Sequence, residues 1–205
     1  MSGDARLLLK VLNVLQGAHY IDRMEHLPSQ ETFARGWFTR VSLHQAGGRH
    51  RDFADVFQRT MHHEGGYSNN PDDLGGETYK GISRVYHPSW IGWAIVDGWK
   101  AKHLQAPENR DEGWLQNNER MQRYVREFYK AQFWDTWRGD DVLEIDGAVA
   151  AEVFDTGVNM GVQKAVYYLQ RALNVLNREG ESWLDLEEDG LMGSRTLTAL
   201  MACCL

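Results

Sequence analysis

Apolar residues recur at helical spacing along most of the 205-residue chain. Leu8, Val11, Leu12, Leu15 and Ala18 share one face, which predicts an amphipathic helix over the first twenty residues. Residues 44–50, with Gly47 and Gly48, predict a loop and a boundary. Phe53, Val56, Phe57, Thr60 and Met61 mark a second helix with one buried stripe, stopped by Gly65 and Gly66 directly after Glu64. Three further stripes follow: Met121, Tyr124, Val125, Phe128, Tyr129 and Phe133; then Val149, Val153 and Phe154; then Val162, Ala165, Val166, Leu169, Leu173 and Leu176. Alternating apolar runs are absent, so the fold expected is mainly α, without a large sheet. Three parts are expected: a helical extension over 1–50, a body over 51–150, and a helical segment over 151–205 packed on that body.

One stretch breaks the pattern. HHEGGYSNNPDDLGGETYKGIS, residues 62–83, is almost without apolar side chains. Asn69, Asn70, Pro71, Gly75 and Gly76 are turn formers, and a short strand is expected only near Thr78 to Ile82. This predicts a small polar hairpin lobe beside a helical body.

That lobe carries candidate chemistry. A carboxyl at the last turn of a helix feels the negative end of the helix dipole, which disfavours ionisation and suits Glu64 to give up a proton as a general acid. The Gly pair after it allows a sharp turn and leaves room for a bulky substrate. Taken alone, Glu64 reads more readily as a surface residue before a glycine cap. It is not alone: Asp73 follows after eight residues and Thr78 after four more. Two carboxyl groups flanking a polar hairpin are the usual equipment of glycoside hydrolysis, one protonating the leaving oxygen and one managing water or the developing cation. Thr78 is the hydroxyl that would hold that water.

Composition narrows the partners. The net charge of −7, from 22 basic and 29 acidic side chains, disfavours nucleic acid held through its phosphates. Aromatic residues make up 11 %, including eight Trp, the side chain best shaped to lie against the apolar face of a sugar. Tyr67 and Tyr79 flank the acid loop with Gly76 and are the first candidates for substrate contact. Trp90 and Trp93 read equally as the wall of a sugar cleft or as helix core. His62 and His63 lack a second ligand cluster, and the acids Asp185, Glu187 and Asp189 before Gly190 have Thr196 where a calcium loop needs Glu, so neither metal nor cofactor is expected. Cys203 and Cys204 are adjacent and cannot staple a fold. The run LLLKVLNVL is broken by Lys10 and Asn13 and lacks the features of a signal peptide, so no stable membrane insertion is expected.

The stretch EGGYSNNPDDLGGETYKGI resembles the signature of glycoside hydrolase family 108, the N-acetylmuramidases of phages and bacterial secretion loci, with Leu74 where the family commonly has Pro. The later runs NMGVQKAVYYLQRALN and EEDGLMGSRTLTAL resemble the predicted peptidoglycan-binding segment that follows in that family. The resemblance implies an α-rich, two-lobed, lysozyme-like fold with Glu64 as catalytic acid. The body over 51–150 becomes the catalytic region, and 151–205 a peptidoglycan-binding-like segment. The substrate implied is the glycan strand of peptidoglycan, cut between N-acetylmuramic acid and N-acetylglucosamine. Asp73 acting as base on a water held by Thr78 would invert the anomeric carbon. A lytic transglycosylase and a non-enzymatic wall-binding or secretion-docking protein are the competing readings. Made in the cytoplasm without a signal peptide, an enzyme acting in the periplasm or cell wall would need a holin or secretion machinery for delivery.

Overall fold

The computed structural model describes residues 6–13, 16, 52–61, 66–69, 75–103, 112–177, 180 and 182–204. Glu64, Asp73, His62 and His63, and most of the 1–50 segment, lie outside the described residues. The chain forms two compact units: Met1–Val56 with Gln132–Leu205, and Phe57–Ala131. This division by packing differs in kind from the division by role into 1–50, 51–150 and 151–205.

The first unit is helical among its described residues. It holds α1 (6–13), the start of α2 (Phe53–Met61), α6 (Gly139–Ile145), α7 (Gly147–Met160), α8 (Val162–Leu176) and α9 (Ser194–Cys204). Its centre is aromatic: the Phe53 ring lies 5.1 Å from Trp134 and 5.5 Å from Phe154, and Trp134 lies 5.1 Å from Trp137. Around it α7 buries Val149, Ala150, Val153 and Phe154, while α8 buries Ala165, Val166, Leu169, Ala172 and Leu173 at the i, i+3/i+4 spacing of one stripe. Asp146 caps α7, its Oδ1 accepting from Ala148 N at 2.9 Å and Val149 N at 3.1 Å. Gly161 joins α7 to α8 at φ 92°, a region that side-chain-bearing residues avoid. Leu8 and Leu12 of α1 are fully buried, in keeping with the amphipathic helix expected there. Gln16 donates to Thr156 Oγ1 at 2.6 Å.

The second unit begins within α2 and holds β1 (Tyr67–Asn69), β2 (Glu77–Tyr79), β3 (Ile82–Ser83), α3 (Trp93–His103), α4 (Glu112–Asn117) and α5 (Glu119–Tyr129). The strands form one antiparallel sheet in chain order, pairing Tyr67 with Tyr79, Asn69 with Glu77 and Tyr79 with Ile82. β2 and β3 are joined by Lys80 and Gly81, both at positive φ (45° and 77°), the two-residue turn whose twist suits a hairpin. Tyr79 and Ile82 are fully buried with Val96, Leu115, Met121 and Val125. α5 is capped by Asn118, which accepts from Met121 N at 3.0 Å. Tyr129 donates to Lys80 O at 2.7 Å, fixing the hairpin turn to α5.

The mainly α architecture with one small polar sheet agrees with expectation. The sheet is larger than expected, because Tyr67–Asn69, read as turn chemistry, is a strand paired along its length with β2.

Candidate active site

The signature stretch lies in the second unit and is pinned to the sheet at both flanks. On one side Gly66 O, two positions after Glu64, accepts from Lys80 N at 3.1 Å. A Cβ on Gly66 would come 3.3 Å from Gln116 Nε2, a tight contact with the end of a flexible side chain. On the other side Ser83 donates to Gly75 O at 2.6 Å, and its Oγ accepts from Val85 N at 3.2 Å. Gly76 takes φ +61°, and a Cβ there would press within 3.0 Å of Val85 Cγ2. Gly66 and Gly75 are therefore held to the sheet by backbone carbonyl contacts, each two positions after an acid of the signature.

Thr78 sits at the middle of β2, paired with Ser68 and Ser83. Directly paired residues share a sheet face, so these three hydroxyls form a row opposite the face of Glu77 and Tyr79.

A polar cluster braces the sheet against α3. Glu77 Oε1 accepts from Tyr67 OH at 2.9 Å and from Lys100 Nζ at 2.6 Å. Arg84 Nε lies 2.7 Å from Glu77 Oε2 as an ion pair, although its N–H has no aligned acceptor. The Arg84 guanidinium forks onto Asp97 with contacts of 3.1 and 2.7 Å and stacks 4.4 Å above the Trp93 ring. The hydrogen bond to Asp97 raises the Arg84 pKa and holds the Asp97 carboxyl below its ordinary range. Sequence reasoning passed over this cluster: Glu77 lies inside the signature, but its partners come from positions 67, 84 and 100.

The expected substrate contacts separate. Tyr79 is fully buried, its hydroxyl accepting from Gln122 Nε2 at 3.0 Å, and burial raises its pKa. Trp93 is 3 % exposed and donates to His87 O. Neither offers a surface to a glycan in this conformation; both are core, buried with Val96, Leu115, Met121 and Val125. Trp90 is half-buried, stacked 6.5 Å from the Tyr79 ring and edge-on to Trp93. Tyr67 is half-buried, edge-on to Trp99 at 5.2 Å and committed to Glu77.

In the first unit the D-G turn is built around Gln170, which donates to Asp189 Oδ1 at 2.8 Å and Leu191 O at 3.0 Å and accepts from Gly190 N at 2.8 Å. The Gln170 hydrogen bond lowers the Asp189 pKa. Asp185 accepts from Asn177 at 2.8 Å. These acids thus serve the turn itself. Among the described residues no group of three His, Cys, Asp or Glu is placed to hold a metal ion, and no helix is long and apolar enough to cross a membrane.

The sequence matches the family model for Glycosyl hydrolase 108 over residues 57–161, just over half of the chain. Three chains of solved structure match. One, described as "Structure of Brucella abortus SagA", is 23 % identical, covering 72 % of this chain and 67 % of its own, with a TM-score of 0.44. No curated protein matches. The match spans α2 from Phe57, the pinned sheet and the helices through α7, and on it the chain belongs to glycosyl hydrolase family 108, as a lysozyme-like glycoside hydrolase acting on peptidoglycan.

Proposed function

We propose that the protein is an N-acetylmuramidase that hydrolyses the β-1,4 bond between N-acetylmuramic acid and N-acetylglucosamine. Glu64 protonates the leaving oxygen, and Asp73 activates a water on the opposite face of the sugar. Thr78 orients that water. The observation that carries this reading is the fixing of Gly66 and Gly75 to one sheet, through Lys80 N and Ser83 Oγ. Gly66 follows Glu64 by two residues and Gly75 follows Asp73 by two, so backbone held to one sheet stands two residues from each acid in the sequence, and acid–base catalysis by two side chains needs such a frame nearby. Water attack opposite the leaving group inverts the product and needs a carboxyl separation of about 6.5–9.5 Å, against about 5–5.5 Å for a nucleophilic Asp73.

The enzyme would work in the periplasm or wall, in host lysis or in wall remodelling for secretion, delivered by a holin or secretion machinery. The 151–205 segment would bring wall affinity.

Glu64→Gln tests the assignment. The amide keeps the shape and cannot deliver a proton, and general acid catalysis is worth roughly 10²–10⁴-fold. Clearing of purified walls should fall by that factor while circular dichroism and the thermal midpoint stay put. Clearing within a few-fold of the parent would remove Glu64 from the mechanism.

A further inference from the structure

Gly98 stands in the middle of α3, where glycine weakens a helix relative to alanine and is normally kept for a positive φ or a close approach. It serves neither purpose. Its φ is not positive, and a Cβ built on it meets nothing within 4 Å. The space left open is the floor of a cleft of about 590 Å³ formed by α3, α4 and the start of α5, with Trp99, Lys102, Trp114, Asn117 and Arg120 in its walls. That volume lies within the range of small-ligand sites. Trp114 is 41 % exposed, an unusual state for so large an apolar ring, and the Lys102 ammonium stands 5.8 Å from its centre.

These parts have a common chemistry. An exposed indole offers a flat surface to the C–H face of a pyranose, and the Asn117 amide suits an N-acetyl group. Lys102 and Arg120, against Glu119 alone, leave the cleft one positive charge for a carboxylate. Trp114 and Gln116 lie two positions apart on α4, about 200° around the helix. Gln116 faces Gly66, so Trp114 stands on the other flank of α4 from Gly66.

We propose that this cleft is an accessory binding site for peptidoglycan, taking an amino-sugar ring on Trp114 and a carboxylate of its lactyl-peptide branch on Lys102 and Arg120. The choice of ligand rests on the hydrolase reading; the site rests on Gly98 and Trp114.

The test is a titration of the full chain with the disaccharide tetrapeptide GlcNAc–MurNAc, followed by NMR at the Trp114 indole N–H, which Trp114→Ala identifies by its disappearance. The Trp114 signal should shift saturably. Gly98→Leu, which keeps α3 helical and fills the floor, should weaken binding at least tenfold. Diacetylchitobiose, which has no carboxylate, should bind at least tenfold more weakly than the muropeptide, and Lys102→Ala should remove most of that difference. A Trp114 signal that ignores the muropeptide, or a curve unchanged by Gly98→Leu, overturns the site; equal binding of the two sugars overturns the role of the cations. Clearing of purified walls by the same preparation is read in parallel. A chain that clears walls with an unresponsive Trp114 leaves the hydrolase reading standing and sinks this site. One that binds through Trp114 and clears no walls does the reverse.

Discussion

Across the first two strands Tyr67 donates its hydroxyl to Glu77 Oε1 at 2.9 Å, a diagonal pair, because the residues directly opposite are Tyr79 and Asn69. The same carboxylate holds Lys100 and Arg84 from outside the strand pair, and only 12 % of its side chain is exposed. One acid thus ties a three-residue strand to a helix, which such a short strand could not achieve with its own ladder bonds.

Glu77→Gln should therefore cost more than an ordinary surface change. The amide oxygen can still accept from Tyr67, but Lys100 and Arg84 are left with Asp97 as their one remaining anion in the cluster. Both cations are about a third exposed, at 34 % and 30 %, so water offsets part of the loss. We expect a destabilisation of about 1–3 kcal/mol, read as a lower urea midpoint with an unchanged slope. A midpoint within error of the parent would show that the cluster is ornamental.

Glu152 gives the fold a pH dependence. It is 5 % exposed on α7, and desolvation, with a smaller repulsion from Asp155, pushes its pKa from 4.5 up to about 8 against an opposing hydrogen bond from Gln16. The folded state keeps a proton that the unfolded chain releases. The stability this group contributes is complete below pH 4.5 and is lost as pH rises toward 8. At pH 7 the loss is roughly 3 kcal/mol as an upper figure. Glu152→Gln should flatten the fall of stability between those limits and make the protein more stable than the parent at the upper one. Urea unfolding at stepped pH measures this, and parallel curves for the two proteins would contradict it.

The D-G turn is predicted to be intolerant at Gly190. Its φ is +74°, and a Cβ there would lie 2.5 Å from Gln163 O. Strain at such a φ costs about 1–3 kcal/mol for a residue with a side chain, and the contact with backbone adds to it. Gly190→Ala should lower the thermal midpoint by several degrees, whereas Gly193→Ala, with open space around it, should barely move it. Equal midpoints for the two variants would refute the packing described for this turn.

Much of this was readable from periodicity. The stripes on α2, α5, α7 and α8 follow from i, i+3/i+4 spacing, and the Gly pairs at 65–66 and 75–76 announced a turn-rich lobe. Periodicity could not tell whether Trp93 lines a cleft or fills a core, because both uses put an aromatic on one helix face; burial decided for core. It also missed β1, where Tyr67 favours a strand but Ser68 and Asn69 do not, and the three are held by pairing to β2 about ten residues away. The Glu77 cluster and the Trp114 cleft depend on side chains brought together from separate elements, which no local pattern records.

The most direct test of the central claim is mass spectrometry of the soluble fragments released from purified peptidoglycan. A muramidase cutting by water leaves fragments that end in a reducing N-acetylmuramic acid, and proton NMR before mutarotation should find the fresh anomeric centre in the α configuration. Fragments ending in 1,6-anhydro-muramic acid, or in reducing N-acetylglucosamine, would contradict the account.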